Sequence, residues 1–303
     1  MRHLIEAQQF SREELDQLFL VADKCELENS QPLRGKILAS LFYEPSTRTR
    51  LSFESAMIRL GGNVLTTENA KEFSSAIKGE TLEDSIKVVG HYADAIVLRH
   101  FEIGTAARAA KVSSVPIINA GDGAGQHPSQ ALLDLYTLKR ELGAIDGIRI
   151  AMMGDLKNGR TVRSLSYLLG KYKDMHIDFI SPTELKIGDD IKDYLESHKV
   201  SFSEQEHFEP LIDMVDAIYQ TRIQKERFTS EGEYLKFAGK YVLTPANTVD
   251  MKEGAIIMHP LPRVDEISPE LDDLPKAAYF RQVKYGVSVR MALLTELCNQ
   301  HRA

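Results

Sequence analysis

The chain has 303 residues, of which 43% are hydrophobic and 27% charged, and it carries a formal charge of -7. That length allows two compact domains, the composition is unlike that of a disordered or fibrous chain, and the acidic balance argues against nucleic acid, whose phosphates demand clustered Lys and Arg. The two cysteines, Cys25 and Cys298, have no nearby Cys or His at zinc spacing, and no apolar run reaches bilayer-spanning length. The sequence therefore predicts no metal, no membrane association and a reducing, cytoplasmic location.

Short runs rich in branched apolar residues recur at 36–42, 95–99, 116–119, 148–153, 176–180, 217–221 and 255–259, with helix-like stretches between them. That alternation predicts an α/β fold of two domains, each with a central parallel sheet flanked by helices. Helical spacing runs over 47–60 and 160–169, and both stretches open directly after a Gly- or Pro-containing turn that follows a strand. Ligands of open α/β sheets collect where a strand's carboxyl end meets a helix N-terminus, which singles out the loops at 44–49 and 154–160. The order of elements puts the change of domain near 133–140. The expected domains are 1–133, with a C-terminal helix at 287–303 packing back onto it, and 134–286.

Taken in order, Ser46, Thr47, Arg48 and Thr49 place three hydroxyls and a guanidinium at a helix start, which suits a phosphate dianion. The same residue types also make ordinary helix caps. A glycine-rich turn from Asn119 to Gly125 leads into His127 and Gln130, and its glycines permit close backbone approach to a ligand. His127 is placed to donate a hydrogen bond to a carbonyl oxygen, although a lone loop histidine is more often structural. The stretch Gly154, Asp155, Leu156, Lys157, Asn158, Gly159, Arg160, Thr161 nearly matches a nucleotide-binding P-loop, but Arg160 stands where a compact lysine ammonium is needed. A guanidinium there is better suited to a carboxylate. After the strand at 217–221, alternation would put Arg222 and Gln224 on one side as a second carboxylate clamp, against the alternative of a solvated charge run. His259, Pro260, Leu261 and Pro262 form a stiff turn able to aim backbone carbonyls into a cleft or merely to end a strand.

Together these segments, with Ser74 through Lys78, Arg99 and His100, closely resemble the catalytic chains of the aspartate carbamoyltransferase family, in order and over most of the chain. The resemblance implies transfer of a carbamoyl group from carbamoyl phosphate to L-aspartate, giving N-carbamoyl-L-aspartate and phosphate in an early step of de novo pyrimidine biosynthesis, with no cofactor. It assigns carbamoyl phosphate to domain 1–133 and aspartate to 134–286. It implies that Ser46, Thr47, Arg48 and Thr49 bind the phosphate with help from Arg99. Thr49, Arg99 and His127 would share the carbonyl oxygen. Gln130 and the backbone of Pro260 and Leu261 would hold the carbamoyl nitrogen, and Arg160, Arg222 and Gln224 the two carboxylates of aspartate. Family members are homotrimers with shared sites, so Ser74 and the catalytic Lys78 would enter a neighbour's site. Whether a zinc-binding regulatory chain joins the trimer is left open. The chain departs from the family where Glu72, Phe73 and Ile77 replace the usual Ser, Thr and second lysine around Ser74 and Lys78.

The implied chemistry is attack by the neutral aspartate amine on the carbamoyl carbon, with donors fixed around the oxygen on which charge develops. The departing phosphate can take the proton itself, which leaves His127 as an electrophile. Closure of the two domains is expected on aspartate binding. Ornithine carbamoyltransferase, the nearest rival, receives an acceptor with a side-chain cation that Arg222 would repel. A nucleotide-binding module built on the near P-loop, or an inert scaffold, are the rivals of other classes.

Overall fold

The computed structural model describes residues 3–28, 30–68, 70, 79–223, 228, 230–237 and 239–299, so Ser74, Lys78 and Gln224 lie outside the described residues. The chain divides into two units, one formed by Met1–Leu133 with Lys284–Ala303 and the other by Asp134–Val283.

The first unit contains α1 (Arg12–Leu27), β1 (Ile37–Phe42), α2 (Thr47–Arg59), β2 (Asn63–Glu68), α3 (Leu82–Gly90), β3 (Ala95–His100), α4 (Thr105–Val112), β4 (Ile117–Asp122) and the start of α5 (Pro128–Leu142). Its sheet is parallel throughout, in the order β2-β1-β3-β4. Ala39, Leu41, Ile96, Leu98 and Ile117 from β1, β3 and β4 pack with Ile86 of α3 and Ala109 of α4, so the branched runs visible in the sequence become one face of the core. Helix starts are chemically marked. Ser11 accepts from the Glu14 N–H while Glu14 returns to the Ser11 N–H, and Thr81 accepts from the Asp84 N–H.

The second unit contains β5 (Arg149–Met153), α6 (Arg160–Leu169), β6 (His176–Ile180), α7 (Asp189–Ser197), β7 (Ser201–Gln205), β8 (Ala217–Gln220), α8 (Glu231–Leu235), β9 (Ile256–Met258) and the first turns of α9 (Tyr279–Asn299). Its parallel sheet runs β7-β6-β5-β8-β9. Met153, Ile180, Ile218 and Ile257 pack with Leu271 and Tyr279 on one face. The fully buried Asp178 ties three strands together, accepting from Arg149 Nε at 2.7 Å and Nη2 at 3.0 Å and from Ser203 Oγ at 2.8 Å.

Several boundaries differ from the sequence-based expectation. Strands β2 and β7 escape the apolar-run pattern because their side chains stay largely solvent-facing, unlike those of β4 and β9, which also end their sheets but are buried. Strand β8 ends at Gln220, so Arg222 lies beyond it and period-two alternation cannot relate Arg222 to Gln224. The last helix starts at Tyr279 rather than 287. Its first turns are held by polar contacts that apolar periodicity does not register: Gln282, 1% exposed, donates to Asp134 Oδ1 at 2.5 Å and accepts from the His259 N–H at 3.0 Å.

Candidate active site

In both sheets the strand order reverses direction at one place, between β1 and β3 in the first unit and between β5 and β8 in the second. Such switch points open a crevice at the carboxyl ends of the strands, and the basic loops lie there.

In the first unit, Ser46 is the N-cap of α2 with extended backbone, yet its side chain makes no capping hydrogen bond. The helical bonding begins with the Arg50 N–H to the Ser46 carbonyl at 3.2 Å, which leaves the N–H groups of Thr47, Arg48 and Thr49 at the helix mouth. Thr49 is buried, and neither its hydroxyl nor the exposed Arg48 guanidinium engages any described residue. Partial desolvation lowers the pKa of Arg48, which remains a cation. Arg50 is instead committed to structure, through Glu54 and Glu68 at 3.3 and 2.9 Å. The ordinary-cap alternative therefore does not account for Ser46.

Arg99, next to last in β3, lies opposite Phe42 of β1, and its carbonyl accepts from the Tyr43 N–H at 2.9 Å, which brings it beside this loop. Its buried guanidinium lies 2.9 Å from Glu44 Oε2 and donates to the Ala120 carbonyl at 3.3 Å. Glu44, which sequence reasoning did not single out, thus balances Arg99 at the switch point. The neighbouring turn is organised by Asp122, whose carboxylate accepts from the Gly104 N–H at 2.9 Å and the Gln126 N–H at 2.8 Å. Gly123 has φ +56°, and a Cβ there would lie 2.5 Å from the Phe101 carbonyl oxygen, so only glycine fits. The turn delivers His127 and Gln130, both buried, to the start of α5, with His127 Nδ1 3.3 Å from Ser129 Oγ.

In the second unit, Gly154 follows β5 with φ +119°, and a Cβ would meet the Thr221 carbonyl oxygen at 2.2 Å. The loops after β5 and β8 therefore touch backbone to backbone. Thr221 reinforces this by donating Oγ1 to the Met153 carbonyl at 2.9 Å. Asp155, fully buried, accepts from the Asn158 N–H at 3.0 Å, which turns the chain so that Arg160 opens α6. Arg160 and Arg222 are thereby mounted on adjoining strand ends, both half-buried. Gln224 lies outside the described residues.

The turn after β9 carries Leu261 at φ +53° and a cis Leu261-Pro262 bond. A bulky residue in that region costs on the order of 1–3 kcal/mol and persists only where its surroundings impose it. Here His259 Nδ1 accepts from the Leu261 N–H at 2.7 Å, and His259 Nε2 lies 2.7 Å from Glu266 Oε1. The carbonyls of Pro260 and Leu261 accept no hydrogen bond from any described residue.

Two α/β units with basic loops at their switch points define a protein that handles small anionic ligands. Residues 2–140 match the family model for the carbamoyl-P binding domain of aspartate/ornithine carbamoyltransferase, and residues 146–297 match that for its Asp/Orn binding domain. The chain is 58% identical over 297 residues to aspartate carbamoyltransferase 2, chloroplastic, of Pisum sativum, covering 96% of this chain and 77% of that one. It superposes on the aspartate transcarbamoylase catalytic subunit of M. jannaschii with a TM-score of 0.92 and 50% identity, covering all of both chains. It superposes equally, at TM-score 0.92 and 41% identity, on the Trypanosoma cruzi aspartate transcarbamoylase in complex with carbamoyl phosphate and aspartate, covering 98% of this chain and 96% of that one. The chain belongs to the aspartate/ornithine carbamoyltransferase family.

Proposed function

We propose that this chain is an aspartate carbamoyltransferase, which transfers the carbamoyl group of carbamoyl phosphate to the amine of L-aspartate. The observation that carries the reading is the unengaged trio of Ser46 hydroxyl, Arg48 guanidinium and Thr49 hydroxyl around the free N–H groups of α2. These groups, with Thr47 and Arg99, receive the phosphate. Thr49, Arg99 and His127 stabilise the charge that grows on the carbonyl oxygen, while Gln130 and the carbonyls of Pro260 and Leu261 take the carbamoyl N–H groups. The phosphate end of carbamoyl phosphate belongs to the first unit's loops. The aspartate carboxylates belong to Arg160, Arg222 and Gln224 of the second.

Two paired guanidiniums orient the amine for attack, and orientation of this kind supplies much of the rate when the chemistry needs no protein base. The dibasic phosphate leaves with the electron pair of the broken C–O bond and accepts the amine proton. The product is N-carbamoyl-L-aspartate, an early intermediate of pyrimidine synthesis.

Assembly as a homotrimer that shares Ser74 and Lys78 between subunits is part of the same reading. Leu51 and Ile58, seven residues apart on α2, and Leu65 of the edge strand β2 are all exposed, and apolar side chains on these elements fit an interface between copies. The free thiols of Cys25 and Cys298 fit a reducing, cytoplasmic setting. Among the described residues, no helix is long and apolar enough to cross a membrane.

The deciding experiment supplies carbamoyl phosphate to the purified chain with either L-aspartate or L-ornithine and detects the carbamoylated amino acid. Product from aspartate alone is expected, with Arg222→Ala raising the aspartate KM while leaving carbamoyl phosphate binding nearly intact. Product from ornithine would overturn the role of Arg222.

A further inference from the structure

The turn after β9 holds Leu261 through the buried side chains of His259 and Glu266, whose hydrogen bonds with the turn's backbone fix donor and acceptor. The Leu261 N–H can only donate, so the His259 Nδ1 that lies 2.7 Å away must present its lone pair. The ring proton therefore sits on Nε2 and is donated to Glu266 Oε1 at 2.7 Å. Glu266 Oε2 accepts in turn from the Val264 and Asp265 N–H groups at 3.1 and 3.2 Å, so both carboxylate oxygens act as acceptors. His259 is 2% exposed and Glu266 6%, so the bond between the two side chains is itself buried. The His259 backbone is itself fixed, because its N–H donates to Gln282 Oε1 at 3.0 Å.

We propose that His259 and Glu266 are positioning residues for carbamoyl transfer: Glu266 holds His259 as the neutral Nε2–H tautomer, and the bare Nδ1 holds Leu261 in its left-handed conformation, which sets the Pro260 and Leu261 carbonyls. The inference rests on the reading that these two carbonyls receive the carbamoyl nitrogen. Neither side chain touches substrate. With the Nδ1 lone pair lost, the Leu261 N–H has no acceptor and the left-handed turn loses the contact that imposes it. The carbonyls then move, and displacement of a positioning group by about 1 Å costs on the order of a hundredfold in rate.

Two substitutions divide the imidazole between its ends. In His259→Asn the amide oxygen stands near the position of Nδ1 and can accept from Leu261, but nothing reaches Glu266. In His259→Gln the amide nitrogen reaches Glu266, but the acceptor for Leu261 is gone. Steady-state rates of the full chain should show kcat for His259→Gln reduced about a hundredfold with the aspartate KM within about threefold of wild type, and His259→Asn recovering at least tenfold of that loss. A purely structural pair predicts the reverse order or equal losses, and either result overturns the proposal. Should both variants fail to fold, the 15N spectrum of histidine-labelled wild type decides. The ring whose Nδ1 couples across the hydrogen bond to the Leu261 N–H must show a bare Nδ1 and a protonated Nε2. No such ring overturns the proposal. A wild-type chain without carbamoyl transfer would instead remove the functional reading itself, and that outcome is seen before any variant is made.

Discussion

Gly154→Ala tests whether the second switch point is set by backbone contact. The added Cβ would stand 2.2 Å from the Thr221 carbonyl oxygen and 2.7 Å from Thr221 Oγ1, and real Cβ contacts essentially never fall below 3.0 Å. The two loops must separate by about 0.8 Å or more, against a close-packed surround where overpacking costs roughly 1–3 kcal/mol. The φ of +119° is also rarely adopted by an L side chain and adds a strain of about 1–3 kcal/mol. The variant should thus lose roughly 2–6 kcal/mol of stability, a large share of the ~5–15 kcal/mol typical of a folded domain. Thr221 is followed by Arg222, and the 154 loop leads to Arg160, so the same displacement should fall on aspartate. Urea denaturation reads the stability, and steady-state kinetics with aspartate varied at saturating carbamoyl phosphate read the site. We expect an aspartate kcat/KM reduced by about a hundredfold in whatever fraction stays folded. A variant with an unchanged denaturation midpoint and kcat/KM within twofold of wild type would refute the view that glycine is demanded by this contact.

Ser46→Ala should leave stability within about 0.5 kcal/mol, below the ~1 kcal/mol usual for an N-cap serine, because no cap bond is lost, yet should raise the carbamoyl phosphate KM at least tenfold; a large stability loss with unaltered KM would restore the capping role. Lys78→Ala and Arg48→Ala chains, each inactive, should regain partial activity when dissociated and reassembled together, and no recovery despite demonstrated mixing would count against shared sites. Burial alone would raise the Asp178 pKa, but hydrogen bonds from Arg149 and Ser203 and the nearby His176 and Arg149 charges outweigh it, so in the folded state it lies below the ordinary aspartate value. Its stabilisation is full above that ordinary value and is lost as pH falls through the lower, folded one. Asp178→Asn should therefore cost about 3 kcal/mol at neutral pH, with the gap to wild type closing in strong acid. Denaturation curves across pH that run parallel would contradict this.

Residues 46–49 and 154–160 stand out in the sequence as candidate ligand loops because their hydroxyl, guanidinium and glycine groups are contiguous and sit between an apolar run and a helical period. The central strands were legible for a related reason, since burial on both faces demands unbroken apolar runs such as that of β3. Strands β2 and β7 were not, because each pairs with one neighbour and keeps largely polar, solvent-facing side chains, whereas β4 and β9 at the opposite sheet ends are buried and carry apolar runs.

The sequence by itself determined the α/β class and the family, because these reside in local runs of residue types, and it pointed to the loops at 46–49 and 154–160 as places for a ligand. Tertiary structure decided the strand order and hence the two switch points. It also decided that the Ser46 hydroxyl is unused by its helix, that Glu44 balances Arg99, and that Glu266 reaches His259 seven residues away to hold Leu261. Each of these depends on which groups satisfy one another's hydrogen bonds across the fold, and no periodicity along the chain records that.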